Sequence, residues 1–464
     1  ADPDKERLHA YDSSVHPTMT KAPSASTQDC EDAMSPFRRF CDDWFLAEFL
    51  NSSADPKLRA RDALLSMTKK WRNWHYNGNA GAYDPDDATS TWLEEVLDNN
   101  HYRAWKASTT VGFTPLVSGT RRKFAADNHP SASDASLKIL QDFLKQCTAK
   151  KCFLFSSDNL RIRGLLLEAG VLLNPLGAVP KVNSDGTPQL GEDGEPKYRP
   201  IVDGTAGGHT RAPNSSAFSF SHPVQITTTL TRMLRAIFRM EASYPHAVLR
   251  QEKKDVSDAF RHVSYHLDDI GTYAYEYGGF INVTHVLVFG ATSSPSAWEV
   301  YSSAIERAFD HTSNKERTSN ATTERTVDDF WLLVALVMDG HPSPASNRLA
   351  QCIRNVCGPT SINEEKGMSL VSASNVFGTI IDLDQRTASP PWSKILKLCY
   401  IIQSFVTGKV EKLSTRDAHS AHGLCRWVCR TKSALVPLMY PRLAALLSSS
   451  ADPSLTSSPA LKGE

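Results

Sequence analysis

The sequence predicts an α+β fold with a helical amino-terminal extension, and three observations predict it. From Pro36 to about Trp105 the apolar and aromatic residues recur at helical spacing, with Phe37, Phe40, Trp44 and Phe45 on one face. The middle of the chain carries short apolar runs bounded by Asp-Gly and Asp-Asp dipeptides, which is how strands and tight turns read. After Pro390 the pattern returns to helical spacing and keeps it to about Leu447.

The composition leaves that reading open and closes others. The chain has 464 residues, enough for several domains or one large multi-lobed fold. At 41% hydrophobic and 22% charged residues it is neither collagen, coiled coil nor wholly disordered. No apolar run approaches the roughly 18 residues of a membrane span, and the opening Ala1-Asp2-Pro3-Asp4-Lys5 has no apolar core. The expectation is an intracellular protein of cytoplasm or nucleus, not secreted and without a membrane partner. Lys plus Arg and Asp plus Glu both total 51, so the net charge is zero. That argues against a chain that coats nucleic acid indiscriminately, while local basic tracks stay open. The spacings Cys147/Cys152, Cys352/Cys357 and Cys425/Cys429 do not repeat as CxxC pairs, so reduced, mostly buried thiols are expected ahead of structural zinc.

In chain order, residues 1–35 read as a polar, disordered tail. Residues 36–135 read as a helical region and linker, whose aromatic face serves a small core or, as the alternative, a nucleic-acid stacking surface. Residues 136–170 read as two helices, stopped at Gly170. An extended run from Val171 to Val182 and a second from Tyr198 to Asp203 flank Ser184-Asp185-Gly186 and Glu192-Asp193-Gly194. The pair predicts a protruding β-ribbon. A helix is expected within 223–249, two strands and a helix within 250–310, a polar insert at 311–325 and a strand from Phe330 to Met338. Residues 391–447 are expected to be helical and 448–464 to be a second disordered tail.

Two acidic runs sit against strands: Lys253-Lys254-Asp255-Val256-Ser257-Asp258 and Thr326-Val327-Asp328-Asp329-Phe330. An Asp pair leading straight into an apolar strand is costly, because like charges raise one another's pKa unless a cation lies between them. A hairpin bearing two Asp beside another strand-borne Asp is what hard divalent ions need, since Mg²⁺ takes one or two carboxylates and completes its shell with phosphate and water. Taken singly, each run also fits a solvated turn.

The order of the motifs adds to this. Pro175-Leu176-Gly177-Ala178-Val179-Pro180-Lys181, Lys197-Tyr198-Arg199-Pro200-Ile201-Val202-Asp203, Asp255, Phe289-Gly290 with Ser294-Pro295, Asp328-Asp329, Lys366 and Val376-Phe377-Gly378 follow one another at intervals that resemble the reverse transcriptase domain. The likeness is greatest to retrotransposons of the DIRS-like and long-terminal-repeat groups, and it runs from about Ser136 to Leu447. It implies a right-hand polymerase: fingers with the start of the palm at 136–250, palm at 251–390 and a helical thumb at 391–447. It implies that Asp255 and Asp328, assisted by the Val256 carbonyl, bind two Mg²⁺ ions, with Mn²⁺ as an alternative, and that Asp329 completes the catalytic turn. Lys181 and Arg199 are implied to grip a deoxynucleoside triphosphate, and Phe260 to exclude a ribose 2′-OH. Phe289 and Gly290 are implied to pack under the nucleotide, Lys366 to act as general acid, and Phe377 and Gly378 to form the primer grip. An RNA or DNA template with its primer is the implied partner.

The chemistry of these residue types agrees with that implication, because phosphoryl transfer asks of the protein mainly metal ligands and cations on the triphosphate. Each position also has an ordinary reading: Arg199 as a surface residue, Lys366 as a salt-bridged turn beside Glu364 and Glu365, Phe260 as core. Between Lys394 and Arg442 there are nine basic residues, among them Lys394, Lys397, Lys409, Lys412 and Arg416, against the acids Glu411 and Asp417, a balance of +7. A basic helical lobe suits a duplex backbone, and a solvated helix face is its alternative. Thr326 stands where the family usually has an aromatic residue, and Thr322-Thr323-Glu324-Arg325 is polar where a buried strand is expected. These departures keep a second function in view, a catalytically silent protein that retains the fold to bind nucleic acid or a partner.

Overall fold

The computed structural model describes residues 26–56, 58–80, 86–115, 124–125, 127–183, 187–191, 194–206, 213–216, 228–315, 320–336, 344–364, 367–407, 412–413, 421, 423–425 and 455–456. Helix and strand are mixed along the chain. The strands are β1 (Phe124–Ala125), β2 (Cys152–Ser156), β3 (Leu172–Asn174), β4 (Leu176–Pro180), β5 (Tyr198–Val202), β6 (Val248–Asp255), β7 (Ala274–Tyr277), β8 (Phe280–Thr284), β9 (Ala321–Thr326), β10 (Asp329–Leu336), β11 (Met368–Val371), β12 (Ala373–Val376), β13 (Thr379–Asp382), β14 (Thr387–Ser389), β15 (Lys412–Leu413) and β16 (Leu455–Thr456).

The amino-terminal region starts earlier than its composition announces. A helix runs over Thr27–Asn51 with Pro36 inside it. Its start is fixed at Ser26, whose hydroxyl accepts from the Asp29 N–H at 3.2 Å while the Asp29 carboxylate accepts from the Ser26 N–H at 2.8 Å. This reciprocal cap offsets two of the unsatisfied donors of a first turn. Residues 27–35 therefore belong to the body and not to a tail, and residues 1–25 lie outside the described residues. Trp44 and Trp71, from this helix and the helix Arg59–Tyr76, both lie against Phe153 of β2, so the aromatic face serves a core. Burying side chains of this size contributes about 2–3 kcal/mol each.

A five-stranded sheet in the order β1-β3-β7-β8-β2 carries that core. β2 lies in the stretch expected to hold only two helices. Its residues Cys152 to Phe155 are all buried, and a short apolar run without alternation does not reveal its type. The two expected helices, Ser136–Thr148 and Leu160–Glu168, flank it. β4 and β5 pair antiparallel from Leu176↔Val202 to Pro180↔Tyr198. Bridges at Val182↔Pro188 and Leu190↔Pro196 extend the ribbon.

The second sheet has the order β11-β6-β10-β9. β10 is central and two-faced. Phe330, Leu332 and Val334 join the main core, whereas Trp331, Leu333 and Ala335 join a second core with Met233, Ala236, Ile237 and Met240 of the helix Leu230–Ser243 and with Val376 and Ile381. The expected polar insert at 311–325 is instead the end of the helix Ser294–Lys315 and nearly all of β9, with residues 316–319 outside the described residues. β12, β13 and β14 form a separate three-stranded meander.

In the carboxy-terminal part the helix Trp392–Val406 packs through Leu398 on Ala421 and Cys425. Lys412 and Leu413 are a short strand paired with Leu455 and Thr456, where a helix and a disordered tail were expected. Most of 408–464 lies outside the described residues. Among the described residues every cysteine is a free thiol, and all are buried except Cys399. No helix among the described residues is long and apolar enough to cross a membrane.

Candidate active site

β6 and β10 bring the two acidic runs to one place. Their antiparallel register sets Asp329 directly opposite Asp255. The connection from β9 is the two-residue turn Val327-Asp328, with Thr326 facing Asp329. Val327 takes φ of 56°, a costly conformation for a β-branched residue. Two hydrogen bonds hold it: the Trp298 indole N–H donates to the Val327 carbonyl at 2.6 Å, and the Val256 N–H donates to the Asp328 carbonyl at 2.9 Å. The Asp255 carbonyl accepts from the Asn363 N–H at 2.9 Å. Asp255, Val256, Asp328 and Asp329 are thus gathered at one end of the sheet.

The electrostatics of this end are those of crowded carboxylates. Burial pushes the Asp329 carboxyl up to about 6; Lys253 opposes that shift, and the neighbouring Asp328 and Asp255 add to it. Lys253, two residues before Asp255 on the same face of β6, sets its ammonium 2.9 Å from Asp329 Oδ1. Asp329 is thus paired with Lys253, and Asp255 and Asp328 stand beside it at the same end of the sheet. Among the described residues no three His, Cys, Asp or Glu side chains close around one point. Mg²⁺ does not need three, since substrate phosphate and water complete its shell. Thr326 Oγ1, buried on the strand beside Asp329, has no hydrogen-bond partner among the described residues. The donor set fits a hard cation that arrives with a phosphorylated substrate.

A second group forms on the far side of the turn that follows Asp255. Phe260 lies in the short 3₁₀ turn Ala259–His262 and meets Phe289 with ring centroids 5.1 Å apart. The Arg199 guanidinium stands 4.9 Å over the Phe289 ring. Gly290 has φ of 105°, and a Cβ there would overlap the Val202 carbonyl oxygen, so the loop can approach β5 only as glycine. The Phe289 carbonyl accepts from the Val202 N–H at 2.9 Å. Arg199, Phe289, Gly290 and Phe260 are therefore one contiguous surface.

The remaining expected residues are dispersed. The Lys181 N–H donates to the Lys197 carbonyl in the ribbon, beyond the Arg199 level. Phe377 and Gly378, with φ of 47° and 77°, make the two-residue tip of the β12–β13 hairpin, as a twisted hairpin demands. Lys394 and Lys397 lie on the helix Trp392–Val406, with Lys397 exposed. Lys366, Lys409 and Arg416 lie outside the described residues, and of Lys412 only the backbone strand is described.

Several supporting residues escaped the sequence reading. The Arg261 guanidinium donates to both Asp142 oxygens at 2.7 Å, which ties the Phe260 turn to the helix Ser136–Thr148. Asn214 donates to the Gly290 carbonyl at 2.6 Å and accepts from the Tyr273 hydroxyl at 3.0 Å. Arg325 of β9 is buried, with both guanidinium ends on Glu299 at 2.8 and 2.6 Å and its Nε donating to Glu306 at 2.9 Å. That network is what allows a polar sequence to form the buried lead-in to the Asp turn.

No family model matches the chain, and no curated protein sequence matches it. Among solved structures the chain is similar to a foamy viral protease-reverse transcriptase, in its dRH form, in complex with double-stranded DNA, at 13% identity and a TM-score of 0.41, over 78% of this chain and 56% of that one. It is similar to the foamy viral protease-reverse transcriptase with an RNA/DNA hybrid, at 13% identity and a TM-score of 0.42, over 79% of this chain and 43% of that one. A third structure, of the same viral protein with double-stranded DNA, has 14% identity and a TM-score of 0.41, over 89% of this chain and 67% of that one. The chain spans about half the length of the first two.

Proposed function

We propose that the chain is a reverse transcriptase: it extends a primer 3′-OH on an RNA or DNA template, using deoxynucleoside triphosphates. The observation that supports this most is the meeting of Asp255 with the Val327-Asp328 turn at one end of β6 and β10. In this reading β11-β6-β10-β9 is the palm, the β4–β5 ribbon belongs to the fingers, and the basic region after Pro390 is the thumb. Asp255 and Asp328, with the Val256 carbonyl, would hold the Mg²⁺ ions, which when bound neutralise charge on the attacking and leaving oxygens.

The protein's own groups do the positioning. Arg199, with its guanidinium 4.9 Å over the Phe289 ring, presents its fork to a triphosphate. Phe260, fixed by Phe289 and by the Arg261–Asp142 pair, fills the space a 2′-OH would need. The Phe377-Gly378 tip holds the primer end. Lys253 keeps the Asp329 charge from repelling the pair beside it.

One observation favours the second reading, a silent fold that binds nucleic acid or a partner. Thr326 leaves a hydroxyl without a partner among the described residues at the turn where an aromatic ring is expected. Primer extension on RNA and DNA templates with Mg²⁺ separates the two. Asp255→Ala and Asp328→Ala are each expected to lower incorporation at least a thousandfold, several kcal/mol of barrier at about 1.36 kcal/mol per decade, with primer–template binding retained. A wild-type chain that binds but never extends would establish the silent reading.

A further inference from the structure

We propose that the groove between the helix Leu230–Ser243 and β9 is a binding site for a single-stranded nucleic acid, separate from the carboxylate site. The helix divides cleanly. Met233, Ala236, Ile237 and Met240 are buried against the sheet, while Arg232, Arg235, Phe238 and Arg239 face outward. With Ser243, and with Thr322 and Glu324 of β9, the three arginines line a cavity of about 510 Å³.

The charges in it are unequal. Arg232 is held by Glu324 at 3.1 Å and by Glu306 at 3.5 Å. Glu241, the one acid on the helix, pairs with Arg386 at 3.2 Å. Arg235 and Arg239 have no ion-pair or hydrogen-bond partner among the described residues. Two exposed guanidinium groups one helical turn apart, about 6 Å at a rise of 1.5 Å per residue, are thus left for an anion outside the chain. Phe238, 64% exposed and three residues on from Arg235 along the helix surface, adds a flat apolar ring outside the cavity's own lining. Unpaired arginines interleaved with an exposed aromatic ring match a strand that offers phosphates and unstacked bases. An acidic peptide would satisfy the charges and leave the ring without a purpose.

The location supports the same occupant. Side chains alternate along a strand, so Thr322 and Glu324 share the sheet face of Thr326, which stands opposite Asp329. At about 3.3 Å per residue, Glu324 is only about 7 Å along β9 from Thr326. A strand entering or leaving the carboxylate end would run along this edge. The groove's occupant extends the polymerase reading but rests on the groove's own charge and shape, so the two can fail separately.

The test is binding of a mixed-sequence single-stranded RNA, and of the matching DNA, measured by fluorescence anisotropy at several salt concentrations. The double variant Arg235→Gln/Arg239→Gln is expected to melt as the wild type does. Its log–log salt slope should be shallower by up to about 1.4, at about 0.7 per phosphate on a single strand. Phe238→Ala should weaken binding about 5- to 150-fold and leave the slope unchanged. Parallel salt plots for wild type and double variant would overturn the proposal, as would a poly-glutamate peptide that binds the groove while the oligonucleotide is indifferent to all three substitutions. Primer extension reads the other hypothesis: parallel plots with intact extension remove the groove alone, and changed slopes without extension remove the polymerase alone.

Discussion

Asp255 and Asp329 stand directly across from one another where β6 ends and β10 begins. Like charges opposed across an antiparallel ladder destabilise it, so this end of the sheet is held at a cost. The fold answers with Lys253, 2.9 Å from Asp329 and on the same face, while burial and the neighbouring carboxylates push the Asp329 carboxyl up to about 6. The neighbouring turn adds a second cost in Val327 at φ of 56°. Two local costs meet at one strand end, each offset by dedicated bonds from Trp298, Val256 and Lys253.

The Phe260 ring has an observed contact with Phe289 and a proposed role in sugar choice, and the two can be separated. Phe260→Ala is expected to raise incorporation of ribonucleotides relative to deoxynucleotides by about 10- to 100-fold, the range for removing a steric clash of one small group. Single-nucleotide kcat/KM for both sugars, measured on the same primer–template, gives the ratio. If the ratio is unchanged while the melting temperature falls, the ring only packs on Phe289.

Arg325 ties β9 to the helix Ser294–Lys315. It is almost wholly buried, with Glu299 on both of its ends and Glu306 on its Nε. Arg325→Met removes the guanidinium that lies on Glu299 and Glu306, leaving Glu306 with Arg232 at 3.5 Å, and removing one partner of a buried pair costs about 3–5 kcal/mol. Urea unfolding of the single variant should show that loss. The combined variant Arg325→Met/Glu299→Leu/Glu306→Leu should recover most of it, because an apolar replacement of a whole buried network is near neutral. A single variant within about 1 kcal/mol of wild type would mean that water reaches the network.

Arg325 also shows where the sequence stops being legible. Strands that carry their signal locally were readable: β10 follows its Asp pair as an apolar run, Gly290 and Gly378 stand at positive φ, and β4 and β5 flank turn residues. Thr322 to Arg325 read as an insert because the groups that satisfy them, Glu299, Glu306 and Thr228, are distant in sequence. β2 was hidden by complete burial, which erases alternation. The Thr27 helix was hidden by Pro36, although Ser26 with Asp29 three residues on was a start signal in plain view. Asp255, Asp328 and Asp329 stand out by their order along the chain, and the register of β6, β9 and β10 brings them to one strand end, whereas Asn214, Arg261 and Lys253 act through partners that only the fold supplies.

Asp42, in the helix Thr27–Asn51, accepts from the Ser156 N–H at 3.0 Å. Burial pushes its carboxyl up to about 6, with the Ser156 bond and Arg38 opposing the rise. The folded chain therefore holds this proton more tightly than the unfolded chain, whose Asp titrates near about 3.9. By linkage the contribution is fully present below about pH 4 and is lost as pH rises through about 6. Asp42→Asn cannot ionise and can still accept from Ser156 through its amide oxygen. The variant should match the wild type near pH 4 and exceed it above pH 7. A rise from about 4 to about 6 corresponds to about 3 kcal/mol at full burial, and partial exposure of the side chain reduces the expected gain to about 1–2 kcal/mol. Urea unfolding of both proteins at pH 4, 6 and 8 measures the difference. A gap that stays constant with pH would show that Asp42 is ionised in the folded protein throughout, and that the Ser156 bond and Arg38 outweigh its burial.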